Sequence, residues 1–125
     1  MIRGIRGATT VEQDDAEEIL LRTQELLLQM AEANEVEPDD MASICFTLSP
    51  DLHATFPAEA ARRIGWQFVP VICMRELDVP HGLPKTIRVL MHAETPRNPR
   101  QVQHVYRGRA VVLREDLDAD VSPRG

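Results

Sequence analysis

The sequence predicts an α+β fold: a single domain with a five-stranded mixed β-sheet and helices mainly on one face. Three observations predict it. Short apolar or alternating runs recur at 2–10, 41–48, 69–74, 85–93 and 110–113, each of strand length. Helical spacing or helix-terminal residues fill 14–34, 57–64 and 98–107, so the order is β-α-β-α-β-β-α-β and the sheet must be mixed. Finally, 125 residues with 43% apolar and 27% charged side chains suffice for one small core and for no second one.

The first strand, 2–10, alternates, with Ile2, Gly4, Arg6 and Ala8 on one face and Arg3, Ile5 and Gly7 on the other. Asp14 with Glu17 has the spacing of a capping box. Ala16, Ile19, Leu20, Thr23, Leu27, Met30 and Ala31 then follow at helical spacing, so a long amphipathic helix runs to about Asn34. Glu37-Pro38-Asp39-Asp40 turns the chain. The next segment, 41–48, is apolar or small at every position, the pattern of a strand covered on both sides. Ser49-Pro50-Asp51 breaks that strand, Pro57 suits the first turn of a helix over 57–64, and Gly65 suits its end. Strands follow at 69–74 and 85–93 around the loop 79–84. Asn98-Pro99 opens a third helix to about Arg107, stopped by Gly108, and 110–113 forms a last strand. Residues 118–125 read as a mobile, mostly acidic tail beyond a domain of residues 1–117. Three helices, two of them short, leave one sheet face bare, and copies of the same chain are its expected partner.

Composition narrows the function. The longest apolar runs, such as Val71-Ile72-Cys73-Met74, are far below the ~18 residues that span a bilayer, and the N-terminus has no signal core, so the cytoplasm is the expected address. The net charge of −6 is uneven: residues 1–40 hold 11 acids and 3 bases, whereas residues 41–114 hold 5 and 10. A chain that is acidic overall repels a polyanion, which argues against nucleic acid and leaves a small anion as the better partner. Cys45 and Cys73 are expected as free thiols. His53, His81, His92 and His104 lack metal-ligand spacing, so no metal is expected. Dinucleotide, P-loop and hydrolase glycine motifs are missing as well.

Arg88 interrupts the sheet-core pattern Thr86-Ile87-Arg88-Val89-Leu90-Met91, where a guanidinium needs a compensating anion. That anion is either an internal carboxylate, Glu76 or Asp78, or a ligand; a third course is for the side chain to snorkel to the sheet edge. Arg6 poses the same question. Cys73 and Glu76, three residues apart, point to opposite faces unless the strand ends or bulges between them. Cys73 by itself reads as a small buried hydrophobe, Tyr106 as a packed ring with a wet hydroxyl, and Phe56 as a staple before Pro57.

Six ordered segments carry a resemblance: Ile2-Arg3-Gly4-Ile5-Arg6-Gly7-Ala8-Thr9-Thr10, Ser49-Pro50-Asp51-Leu52-His53-Ala54-Thr55-Phe56-Pro57-Ala58, Gly65-Trp66-Gln67-Phe68-Val69-Pro70-Val71, Cys73-Met74-Arg75-Glu76-Leu77-Asp78-Val79, Ile87-Arg88-Val89 and His104-Val105-Tyr106. Taken together they make the chain resemble the AroH class of monofunctional chorismate mutases over residues 1–117. The resemblance implies a homotrimer, a pseudo-α/β barrel with active sites between neighbouring chains, and the rearrangement of chorismate to prephenate without cofactor or metal. It implies that Arg88 donates to the ether oxygen and that Glu76 accepts from the substrate hydroxyl. Arg6 and Tyr106 would grip a carboxylate, Cys73 and Ile72 would line the ring side, and Phe56 with Ala58 would form an apolar wall. Arg62 and Arg114 would stand near the cleft mouth. Glu59 stands where relatives can carry a lysine, and Ile72 where a threonine can flank the ring. A trimeric anion-binding regulator without catalysis, using the same arginines as a grip, is the rival reading.

Overall fold

The strands pair in the order β3-β2-β4-β1-β5, where β1 is Ile2–Thr10, β2 Met41–Leu48, β3 Val71–Arg75, β4 Thr86–Glu94 and β5 Val105–Tyr106. The structure, a computed structural model, describes residues 1–114; the tail expected at 118–125 lies outside the described residues. β4 is antiparallel to both its neighbours, β1 and β2, while β3 and β5 add parallel strands at the two edges. Among the described residues the complete α-helices are α1 (Ala16–Asn34) and α2 (Glu59–Arg63). Among the described residues no helix is long and apolar enough to cross a membrane.

Alternation along the strands divides the sheet into two unlike faces. Ile5, Ile44, Phe46, Val89 and Met91 point to one side and form the core with Leu26, Leu27 and Met30 of α1. There α1 comes so close to β1 that a Cβ on Gly7 would collide with the Met30 sulfur and crowd Leu26 Cδ1. The other face carries Arg6, Cys45, Thr47, Arg88 and Leu90; neither α1 nor α2 lies on it, and among the described residues only Leu113 of the helical segment 111–114 reaches its cleft. Ile72 is 57% exposed, Met74 46% and Leu90 38%. In the single chain, β2 is therefore packed on one side only, not on both as its composition predicts.

The cap of α1 sits one residue later than predicted. Asp15 is the N-cap and accepts from the Glu18 backbone N–H at 2.9 Å, while Glu18 accepts from the backbone of Glu12 and Gln13. The Asp14 carboxylate is occupied elsewhere, accepting from the His53 and Ala54 backbone N–H groups, and Ala16 is exposed rather than in the core. The second helix is shorter than 57–64 because Pro57 and Ala58 form the turn that leads into it.

The C-terminal quarter departs most from expectation. The helix predicted over 98–107 is instead a turn followed by β5, and the strand predicted over 110–113 is helical. Asn98 does start a helix-like turn, its Oδ1 accepting from the backbone of Arg100 and Gln101. The turn cannot propagate, because buried Asn34 captures Gln103 from both sides. Asn34 Oδ1 accepts the Gln103 N–H and Asn34 Nδ2 donates to the Gln103 carbonyl, each at 2.8 Å. Those two groups are then lost to any i→i−4 ladder. Beyond Gly108, at φ +58°, Ala110 is buried and Leu113 partly so while Val111 and Val112 face water, a spacing of three and not two.

Replacing Asn34 with Ala should leave two part-buried backbone groups without their partner, each costing up to about 1–3 kcal/mol. Urea unfolding is expected to show a loss of roughly 2 kcal/mol or more; a loss within experimental error would mean that Gln103 is not held by this side chain.

Candidate active site

Strand register assembles the charged groups on the open face. Arg88 on β4 lies between Thr47 on β2 and Ala8 on β1, and Ala8 in turn pairs with Tyr106 on β5. Arg6, two residues before Ala8, therefore projects from the same face, as the alternation predicts. β3 ends at Arg75. Just past that end, the Glu76 backbone N–H donates to the Leu48 carbonyl at 2.9 Å, which turns the Glu76 side chain onto the open face.

These groups border one cleft of ≈ 490 Å³, lined by Arg6, Glu76, Arg88 and Tyr106 together with Thr47 and Leu113 among others. Thr47 Oγ1 donates to Glu76 Oε2 at 2.6 Å, and Arg88 Nε stands 3.7 Å from the same oxygen. That separation is an ion pair too long for a hydrogen bond. Of the partners open to Arg88 in the sequence, Glu76 is thus nearby but does not saturate it. Among the described residues neither the Arg6 nor the Arg88 guanidinium makes a hydrogen bond within the protein, so their donors remain for a ligand. Burial raises the Tyr106 phenol above its ordinary value, against the opposing pull of the Arg6 and Arg88 charges. It remains a neutral donor at physiological pH.

Phe56, Ala58, Arg62, Ile72 and Cys73 line a different cleft, of ≈ 310 Å³, which shares no lining residue with the first. Cys73 and Glu76 do point apart: Cys73 pairs with core-facing Phe46, and the strand end lies between it and Glu76. The single chain therefore does not unite the predicted site residues; it holds two separate groups of them. Glu59 lies on the rim of the second cleft, and Phe56, 67% exposed, is an unsatisfied apolar wall rather than a staple. Arg114 is exposed and lines neither cleft.

Sequence reasoning missed Thr47, Leu113 and the cleft-lining Leu90. The signal for Thr47 was its position in the alternation of β2, legible once β2 and β4 are known to pair. A wider opening of ≈ 920 Å³, bounded by the loop through His81 and Pro84, shares Glu76, Arg88 and Leu113 with the first cleft. Asp51 anchors the end of that loop by accepting the Lys85 backbone N–H on both carboxylate oxygens. Chemically, the first cleft presents two guanidiniums whose hydrogen-bond donors have no partner among the described residues, a phenolic donor and one carboxylate held by a hydroxyl. It is suited to bind a small polyanion bearing a hydroxyl and to stabilise new negative charge.

A family model described as Chorismate mutase type I matches residues 2–117. The chain is 53% identical over 118 residues to Chorismate mutase AroH of Bacillus subtilis (strain 168), covering 94% of this chain and 93% of that protein. It is 49% identical over 120 residues to Chorismate mutase AroH of Thermus thermophilus, covering 95% and 98%. The solved chorismate mutase from Clostridium thermocellum is 50% identical with a TM-score of 0.84, covering 87% of this chain and 98% of that one.

Burial pushes the Cys73 thiol above its ordinary value of 9.0, only partly opposed by a hydrogen bond with the Ala58 backbone. The thiolate is the reactive form, so at about pH 7 Cys73 should be alkylated by iodoacetamide more slowly than an unhindered peptide cysteine. Peptide mass spectrometry over a pH series should show its rate climbing only at more alkaline pH. Rapid labelling at neutral pH would instead mark Cys73 as an activated nucleophile.

Proposed function

The chain belongs to the chorismate mutase type I family, and on that premise we propose that its sheet-face cleft performs the [3,3] rearrangement of chorismate to prephenate. The enzyme thereby serves aromatic amino acid biosynthesis. One carbon–oxygen bond breaks and one carbon–carbon bond forms within a single molecule, with no atom gained or lost. The protein therefore has no proton to move and no covalent intermediate to make. It must hold the enolpyruvyl arm over the ring and stabilise charge on the oxygen that is released.

Arg88 donates to that ether oxygen as charge develops there, and Glu76, oriented by Thr47, accepts from the ring hydroxyl. Arg6 and Tyr106 grip the enolpyruvyl carboxylate. The observation that carries this reading is the pair of guanidiniums from neighbouring strands sharing one cleft with Glu76, neither of them hydrogen-bonded to a carboxylate among the described residues. Family membership favours this mutase over a non-catalytic anion-binding regulator.

The second cleft supplies the other wall from a neighbouring copy. Cys73 and Ile72 lie along the ring side, Phe56 and Ala58 form the apolar wall, and Arg62 and Arg114 attract the dianion at the mouth. Three copies closing a ring bring each first cleft against a second one and cover the exposed apolar residues of the sheet, giving a homotrimer with its helices outside. Two cysteines without a disulfide suit a reducing compartment, the cytoplasm.

An isosteric neutral replacement of Arg88, such as citrulline, should lower kcat by at least about 10²–10³, the usual cost of removing one donor aimed at developing charge. Chorismate absorbance reads this directly, and a kcat within about tenfold of the parent would exclude charge stabilisation by Arg88.

Mixing tests the shared site. Arg88→Ala and Ile72→Glu chains, each trimeric by sedimentation and each nearly inactive, are to be unfolded together and refolded. Random trimers have one wholly native cleft pair in three for six of eight combinations, so about a quarter of parental activity should return. A mixture no more active than its parents would mean that each site is built within one chain.

A further inference from the structure

We infer that His104 is a positioning residue for Arg6: its imidazole Nδ1 accepts the Arg6 backbone N–H and thereby sets where the Arg6 guanidinium stands in the cleft. The inference rests on the reading that Arg6 grips a substrate carboxylate. It starts from an irregularity in the sheet. β1 and β5 pair in parallel with Gly7 opposite Val105 and Ala8 opposite Tyr106, and the Arg107 N–H donates to the Ala8 carbonyl at 2.9 Å. Continued one step back, that ladder would aim the Arg6 N–H at the Gln103 carbonyl. Asn34 already occupies that carbonyl and pulls Gln103 toward α1.

The Arg6 amide donates instead to His104 Nδ1 at 2.9 Å. An amide N–H can be accepted only by a bare Nδ1, so the ring proton is assigned to Nε2. The consequence for the cleft is direct. Among the described residues the Arg6 guanidinium has no protein partner, so nothing beyond its own backbone fixes its starting point, and His104 holds that backbone one bond from the Arg6 Cα.

Electrostatics agrees with the geometry. Burial of the ring, and secondarily the Arg6 charge on β1, hold the His104 pKa below 6.5. Tyr106 is the titratable group on β5, the strand that His104 leads into. α1 approaches β5 from the other side of the sheet, where Glu25 and Gln29 engage Arg107. Because the folded-state pKa is depressed, the bond is intact above pH 6.5 and is lost as pH falls through the lowered value, when Nδ1 takes up a proton and can no longer accept.

The test uses the full chain with chorismate as probe. His104→Ala should raise KM roughly three- to tenfold with kcat within about twofold, the scale of one lost neutral hydrogen bond. His104→Asn, whose Oδ1 offers an acceptor where Nδ1 was, should return KM to within about twofold of the parent. It should also lack the decline in kcat/KM that is expected of the parent on acidification below pH 6.5. If Asn is as impaired as Ala, if Ala matches the parent, or if the acid limb survives in His104→Asn, the inference is overturned. Arg6→Ala separates the two levels. A raised KM there, with none in His104→Ala, refutes His104 alone. An unchanged KM in Arg6→Ala removes the carboxylate grip and this inference with it.

Discussion

A guanidinium on a central strand must face either water or an anion, and the molecule is arranged around that constraint. β4 lies between β1 and β2, and one of its faces is sealed by α1 with Val89 and Met91 in the core. Arg88 is tolerable only because the alternate face is left open. Had a helix crossed that face, the charge would have required a buried carboxylate at close range, a costly arrangement. Instead the carboxylate that Arg88 meets among the described residues is Glu76, partly exposed, too far for a hydrogen bond to Arg88 and already accepting from Thr47. The site therefore keeps its positive charge available, which is what a reaction that releases an anionic oxygen demands.

A single buried amide shapes the other half of the cleft. By taking both backbone groups of Gln103, Asn34 ends a turn that would otherwise continue as helix and delivers Val105 and Tyr106 to the edge of β1 as a two-residue strand. Tyr106 thus arrives beside Ala8 on the face that carries Arg88. The same capture removes the acceptor that Arg6 would have found in a longer ladder. Gly108 then reverses the chain with a positive φ, at a point where a Cβ would lie 2.6 Å from Thr10 Oγ1.

The chemistry needs little beyond this geometry. The thiol of Cys73 is kept protonated by burial and the phenol of Tyr106 likewise, so neither is primed as a nucleophile. The proposed pericyclic rearrangement makes no use of one. Donors with fixed positions, a carboxylate with a fixed orientation and a wall that excludes water are enough. In the proposed trimer the cleft of one chain and the exposed apolar residues of a neighbour would complete one site, which links catalysis to assembly.

The sequence by itself determined four of the five strands, both helices of the first two-thirds, the face on which Arg6 and Ala8 lie, and the family. Period-two alternation, helical spacing and proline or glycine punctuation are local, and six ordered motifs are specific enough to identify a relative. Only the tertiary structure decided that 98–107 is a turn and strand, that Asp15 rather than Asp14 caps α1, and that 110–113 is helical. Each of those outcomes hangs on a partner remote in sequence: Asn34 reaching Gln103, Asp14 reaching His53, and Ala110 finding a buried seat. The division of the site residues between two clefts was likewise invisible to local pattern, because strand register and the open face of the sheet, not spacing along the chain, decide which side chains share a surface.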